Sequence, residues 1–331
     1  MPAPAGFWMP AEWTPHAACW MGWPCRAETF GDCRAARAAF AETARAIAEF
    51  EPVLMIARPE DAAEARRMLG CAADILEWPL DDSWLRDSGP TFLKNADGEI
   101  AGVDWKFNAW GEKYSPFQND DETAARVLEY ACARRFAAPL VMEGGAFHAD
   151  GEGAILTTEQ CLLNPNRNPS LSREEIETLL CAYLGAQKII WLKGDSRDAE
   201  TDGHADNIAC FAAPGIVLAM EDEDGGDCAE NIRRLQQAED ARGRKLEIIK
   251  LPRPKVRYRG EDLLASYINF YFANGAVILP SFGVAEDAAA KSILADIFPD
   301  RKIVQLPNAK TAIEILKGGG GIHCITQQQP A

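Results

Sequence analysis

Cys324 closes a run of four glycines in the segment 317–329, KGGGGIHCITQQQ. Glycine accepts positive φ and lets a neighbouring group come close to the backbone. The run therefore reads as a turn that presents the thiol at its lip rather than inside an element. A free cysteine is also an ordinary core residue, so its chemistry depends on its company. Three polar clusters elsewhere supply that company: Asp87 in WLRDSGP, Glu143 in EGGAFHADGEG, and His204 with Asp206 in ETDGHADN. Cysteine with histidine is a nucleophile with a proton shuttle. A carboxylate such as Glu143 fixes the tautomer of the histidine and favours its charged form. Two further carboxylates are poor company for a thiolate, unless the substrate is itself a cation. A guanidinium is flat and presents N–H donors in a fork that carboxylates match two-point. Held between Asp87 and Asp206, it would offer its central carbon to Cys324. Attack then gives a tetrahedral intermediate, His204 protonates the departing nitrogen, and ammonia leaves a thiouronium on the cysteine. His204 next activates water, and a ureido product is released.

The remaining histidines fit these roles less well. His204 and Asp206 are two residues apart and would share a face of an extended segment. His148 lies in FHAD before the acidic turn ADGEG, the pattern of a surface hairpin. His323 adjoins Cys324 and in a strand would point to the opposite face. The run GGGGIH lacks the Gly-Lys-Ser/Thr ending of a phosphate loop. With four histidines and no paired-cysteine spacing, no structural metal site is expected.

Composition narrows the class. The 331 residues are 47% hydrophobic and 25% charged, with a formal net charge of −16, and the pI is about 4.8. A chain of this length buries a large core, and its charge repels nucleic acid and anionic membrane surfaces while favouring a small cation. The opening MPAPAGFWMPAEW shows no basic segment ahead of an apolar core of roughly 7–15 residues. No stretch reaches the ~18 apolar residues of a spanning helix. The ten scattered cysteines then read as reduced thiols of a cytoplasmic protein rather than a disulfide framework.

The elements that must position these residues recur. A helix is predicted over about 34–50, a strand at PVLMIA and a helix over 62–69. From there an apolar strand, a polar cluster, a hairpin and a helix repeat. The strands are ILEWPL, PLVME, KIIWL, LEIIKLP and KIVQLP. The helices are expected at about 121–136, 172–184, 230–241 and 287–297, and Ser172 opens one with a capping-box pattern. Asn274-Gly275 between apolar runs is a strong hairpin signal. The segment AACWMGW near the N-terminus could supply the strand that the last repeat lacks. Repeats of ~50–65 residues, each an α/β unit, suggest a radial arrangement, in which the polar clusters after the first strands converge. No linker or composition break appears, so 1–331 reads as a single catalytic domain.

At these residues the sequence resembles the agmatine deiminases of the guanidine-modifying (pentein) superfamily. Seven blocks carry the resemblance, in order: WMGWP, WLRDSGPTF, FNAWGEKYSPF, EGGAFHADGEGAILTTEQCLLNPNRNP, ETDGHADN, SYINFYFANG and GGGIHCITQQQPA, the last read across 319–331 with one departure. The resemblance implies a five-bladed α/β propeller with pseudo-fivefold symmetry. It implies hydrolysis of agmatine to N-carbamoylputrescine and ammonia, with no metal or organic cofactor. By position, Cys324 is similar to the nucleophile, His204 to the general acid/base, Glu143 to its partner, and Asp87 and Asp206 to the guanidinium clamp. Glu200 matches a substrate-contacting position and Trp84 a tryptophan of the pocket wall. A homo-oligomer, dimer or larger, is implied too. The departure is Gly321, where the family pattern has asparagine, which is expected to loosen the loop beside Cys324. Glu200 and Asp202 are both open as partners of the amine end of the substrate. The alternatives are a deiminase of peptidyl-arginine or free arginine, an amidinotransferase, and a catalytically inactive guanidine-binding protein. Free arginine would need a basic partner for its carboxylate, and Arg86, Arg167 and Arg197 are the candidates.

Overall fold

The computed structural model describes all residues, 1–331. It is a mixed α/β fold in which small sheets alternate with short helices. The chain divides into two compact units. One comprises Met1–Thr14, Asp87–Lys250 and Pro330; the other comprises Pro15–Arg86, Leu251–Gln329 and Ala331.

The first unit repeats one device. The strands Thr91–Asn95 and Ile100–Lys106 form an antiparallel hairpin, and Arg134–Val141 then pairs parallel to the second of them. Phe147–Ala149, Ala154–Thr158 and Lys188–Leu192 do the same. A parallel partner requires a crossover, which the helices Thr123–Tyr130 and Arg173–Leu184 provide. Ser172 caps the latter with the full capping box: its side chain accepts from the Glu175 N–H, and Glu175 reaches back to the Ser172 N–H. A third sheet orders Ala209–Ala213, Ile216–Glu221 and Glu247–Pro252. Beneath the first two sheets, Leu93, Val103, Trp105, Leu140, Phe147 and Leu180 are buried in one core.

In the second unit, Tyr271–Ala273 and Ala276–Leu279 make the hairpin expected at Asn274-Gly275, and Lys302–Gln305 pairs parallel to it. A four-stranded sheet orders Thr326–Pro330, His16–Gly22, Val53–Ala57 and Asp74–Glu77. The N-terminal segment does supply the neighbour of the strand that follows Cys324. The helix Cys33–Ala48 covers this region with Ala36, Ala39, Phe40, Thr43, Ala44 and Ile47 buried, the three-and-four spacing of an apolar stripe.

Four local expectations are corrected. The helix expected over 121–136 ends at Tyr130, because Cys132 adopts φ 50° and turns the chain. Arg134–Phe136 is then strand, paired with Ala101–Val103. The helix expected over 230–241 spans Gly226–Gln237; beyond it Asp240 accepts from the N–H groups of Arg242 and Arg244 and closes a turn. The stretch after LEIIKLP, where the repeat predicts only a polar cluster, holds a hairpin, Val256–Tyr258 with Glu261–Leu263, whose Arg257 pairs with Asp262 across the strands at 2.9 Å. The helix Ala309–Leu316 was not foreseen. Asn308 caps it, and Ala312 and Ile315 bury one face. No helix is long and apolar enough to cross a membrane.

Candidate active site

Four of the expected residues meet inside the first unit. Asp87 lies in the single helical turn Leu85–Ser88, and Glu143 directly precedes the turn Gly144–Ala146. His204 immediately precedes the turn Ala205–Asn207, which carries Asp206. The segment that joins them is not extended as expected, because Ala205–Asn207 is a 3-10 turn. A tight 3-10 turn nonetheless keeps His204 and Asp206 together. The focus is Gly145. A Cβ there would lie 2.6 Å from Nδ1 of His204, 2.9 Å from Oδ2 of Asp206 and 3.0 Å from Oδ1 of Asp87. Only glycine leaves room for three polar atoms so close to the backbone. The Gly145 N–H donates to Oδ1 of Asp87 at 2.9 Å, and Trp110 Nε1 donates to its Oδ2 at 3.0 Å.

His204 is fully buried. Its Nε2 lies 3.7 Å from Oε2 of Glu143 and its Nδ1 3.8 Å from Oδ1 of Asp87. The other carboxyl oxygen of Glu143 accepts from Nε of Arg167 at 2.6 Å. Arg167 also donates to Asn166, to Asp202 at 2.6 Å and to the Thr201 carbonyl. Cys161 completes the cluster, with Sγ 3.7 Å from Oε2 of Glu143.

These neighbours set the charges. Burial alone would depress the His204 pKa, but the Asp87 carboxylate foremost, with Cys161 and Glu143, lifts it well above the ordinary value. The imidazolium is thus favoured. Burial opposes ionisation of Glu143, yet Arg167 and then His204 hold its pKa below the ordinary value. Asp87 moves up: burial is the largest cause, and Asp206 and Glu143 add to it against the pull of His204. A buried carboxylate whose charge is costly gains from an arriving cation, which suits a guanidinium clamp. Burial, helped by Glu143, likewise raises the Cys161 thiol.

Cys324 and Trp84 belong to the second unit. Cys324 sits in a turn directly before the strand Thr326–Pro330, as the glycine run predicted. His323 shares that turn and is not in a strand. Asn269 holds the loop. Its Nδ2 donates to Sγ of Cys324 at 3.2 Å, and its Oδ1 accepts from the N–H groups of His323 at 2.9 Å and Cys324 at 3.4 Å. A Cβ at Gly321 would lie 2.4 Å from that Oδ1. The glycine at 321 makes room for the asparagine that braces Cys324. The Cys324 carbonyl accepts from the Arg86 N–H at 3.2 Å. Trp84 stacks on Phe30 and closes over Gly318 and Gly320; a Cβ at Gly320 would meet its ring at 2.5 Å.

Glu200 accepts from the Tyr114 hydroxyl. Oδ2 of Asp202 takes Arg167, Lys113 and Asn166 together. His148 is not a surface hairpin residue. It is buried, accepts from the Phe211 N–H at Nδ1, and lies 3.5 Å from Glu12. Sequence reasoning passed over Gly145, Trp110, Cys161 and Asn269, and considered Arg167 only as a partner for a substrate carboxylate. All five lie within the motif blocks EGGAF, FNAWGEK, TTEQCLLNPNRNP and SYINF, which is the signal that could have found them.

The profile of a family described as Porphyromonas-type peptidyl-arginine deiminase matches residues 8–330. An agmatine deiminase of Stutzerimonas stutzeri is 44% identical over 100% of this chain and 97% of its own length. One of Pseudomonas aeruginosa is 43% identical with the same coverage. Among solved structures, an agmatine deiminase of Enterococcus faecalis catalysing its reaction superposes with a TM-score of 0.95 at 38% identity, covering 99% of this chain and 97% of that one.

Proposed function

The chain belongs to the Porphyromonas-type peptidyl-arginine deiminase family, and from that premise we infer that it is an agmatine deiminase, a hydrolase that converts agmatine and water to N-carbamoylputrescine and ammonia. The observation that carries the site assignment is the convergence of Asp87 and Asp206 beside His204 at Gly145. Two buried carboxylates set against one point match the fork of a guanidinium.

The chemistry follows from these groups. Asp87 and Asp206 hold the guanidinium, whose positive charge offsets their burial. The Cys324 thiolate attacks the central carbon and forms a C–S bond. The amino nitrogen takes a proton from the His204 imidazolium, the C–N bond breaks, and ammonia leaves. The alkyl thiouronium on Cys324 keeps the carbon and two nitrogens. His204, now neutral, removes one proton from water; oxygen adds to the carbon, the C–S bond breaks, the second proton of the water passes to solvent, and the neutral ureido product departs as the thiolate is restored. Glu143, anchored by Arg167, favours the charged imidazole in the first half. A positioned acid/base contributes about 10²–10⁴-fold.

Agmatine lacks a carboxylate, and two of the three candidate arginines support that reading. Arg167 is committed to Glu143 and Asp202, Arg197 to Asp195 and Asp222, and Arg86 to the His323 carbonyl. Neither Arg167 nor Arg197 is spare to receive the carboxylate of free arginine. Asp202 already serves three donors, which leaves Glu200 to meet the ammonium end, with Trp84 as a wall. The five larger sheets, three of which repeat an antiparallel hairpin and a parallel strand, are read as blades of one five-bladed catalytic domain. A cytoplasmic homo-oligomer belongs to the same reading. Incubation with agmatine, free arginine and a C-terminal arginyl peptide, reading ammonia and ureido product, tests the assignment. Agmatine should turn over fastest; preference for arginine would sink it.

A further inference from the structure

We propose that Glu143, Cys161 and His204 form a site for a thiophilic divalent cation of the zinc type, and that a cation bound there stops the reaction. The three residues offer a carboxylate, a thiol and an imidazole, the ligand set that zinc accepts. All three are completely buried, and one ligand atom from each lies within 4.8 Å of the other two. Oε2 of Glu143 is 3.7 Å from Sγ of Cys161 and 3.7 Å from Nε2 of His204. With the third separation at most 4.8 Å, the point equidistant from the three atoms stands no more than about 2.4 Å from each, against ~2.0–2.3 Å for zinc bonds to oxygen, nitrogen and sulfur.

A second observation is independent of this spacing. Neither ring nitrogen of His204 has a hydrogen-bond partner in the structure, although the ring is wholly buried. Such groups are normally satisfied, and a metal at Nε2 would satisfy this one. The surroundings fit as well. Arg167 occupies Oε1 of Glu143 at 2.6 Å and leaves Oε2 turned toward Cys161 and His204. Asp87 stands 3.8 Å from Nδ1, on the side where metal-bound histidines commonly face an outer carboxylate. On binding, the thiol and the imidazolium each release a proton to solvent. The thiolate and the Glu143 carboxylate then balance the double charge. Only the consequence, inhibition, rests on the proton-shuttle role of His204, because the metal takes the lone pair that the shuttle uses; binding itself does not rest on it.

Cobalt(II) reports the site without any turnover. Metal-stripped protein titrated with cobalt(II) should gain a thiolate-to-metal charge-transfer band in the near ultraviolet. The band should persist in Cys324→Ala and vanish in Cys161→Ala. Zinc should inhibit agmatine hydrolysis by wild type, and at least about tenfold more weakly in Cys161→Ala, each compared with its own metal-free rate. A band absent from wild type at saturating cobalt overturns the proposal. So does a band that survives Cys161→Ala, or one lost in Cys324→Ala, which would put the metal on the nucleophile instead. Should Cys161→Ala fail to fold, Cys161→Ser decides: loss of the band supports the site, and its survival refutes it.

Discussion

Nδ2 of Asn269 donates to Sγ of Cys324 at 3.2 Å while Oδ1 of the same amide accepts from the two backbone N–H groups of His323 and Cys324. One side chain therefore both shapes the loop and stabilises negative charge on sulfur. A hydrogen bond to a charged group contributes about 1.5–3 kcal/mol, or roughly 10–100-fold in rate. Asn269→Ala should lose about that much kcat, and iodoacetamide should alkylate Cys324 more slowly than in wild type at a fixed near-neutral pH. Asn269→Asp, which sets a like charge beside the sulfur, should be slower still. Alkylation at the wild-type rate in both would remove Asn269 from this role.

Trp110 does for Asp87 what Asn269 does for the thiol. Its ring packs edge-on against Phe107 and Tyr114, and Nε1 reaches Oδ2 of Asp87 at 3.0 Å. Its backbone holds φ 56°, between Ala109 at 52° and Glu112 at 63°, conformations that cost energy for residues with a side chain. Trp110→Phe keeps the bulk and deletes the donor. A fall in kcat/KM of about tenfold, with little change in melting temperature, is expected. An unchanged kcat/KM would show that the bond does not orient the clamp.

Arg167 and Glu143 are both wholly buried and 2.6 Å apart. Breaking such a pair leaves an uncompensated charge, at a cost of about 3–5 kcal/mol. Arg167→Met should lower stability by that amount in urea unfolding, and Arg167→Lys by less. A methionine variant as stable as wild type would mean that Glu143 is protonated or solvated in the fold.

Stability should also follow the protonation of His204. Its pKa in the fold lies well above 6.5, so the native state binds the proton more tightly than the unfolded chain. The stabilisation is full below about pH 6.5 and is lost as the pH rises through the folded value. Asp87, Glu143, Asp206, Cys161 and Arg167 are the charged or titratable groups around the ring; Glu143 is shifted downward from 4.5 and stays ionised throughout this window. The melting-temperature gap between wild type and His204→Gln should be widest near pH 6 and shrink toward alkaline pH. A gap that widens with pH would contradict a raised His204.

Much of this was legible because motif and element coincide. The helix 62–69 was read at its observed bounds, Ala62–Leu69, and the capping box at Ser172 and the turn at Asn274-Gly275 are local signals that local structure obeys. Asp87, Glu143, His204 and Asp206 could be grouped because each follows a strand in a repeating unit. The misses have a different physics. Asn269, Trp110 and Cys161 act through contacts with residues 55, 23 and 18 positions away in the chain, and nothing in their own neighbourhoods announces those partners. Cys132 ends a helix through a left-handed backbone that cysteine rarely adopts. His148 looked like a surface residue because of the acidic turn ADGEG beside it, yet Asp150 of that turn is itself buried, and the His148 ring lies against Phe211 and Glu12.

The nucleophilic role proposed for Cys324 is the point on which the rest depends. Acid-quenching the enzyme during steady-state turnover of agmatine and mapping its cysteine peptides by mass spectrometry tests it most directly. The peptide containing Cys324 should carry the mass of agmatine less ammonia, and Cys324→Ala should show neither adduct nor ureido product. An adduct on another cysteine, or undiminished turnover by Cys324→Ala, would contradict the assignment.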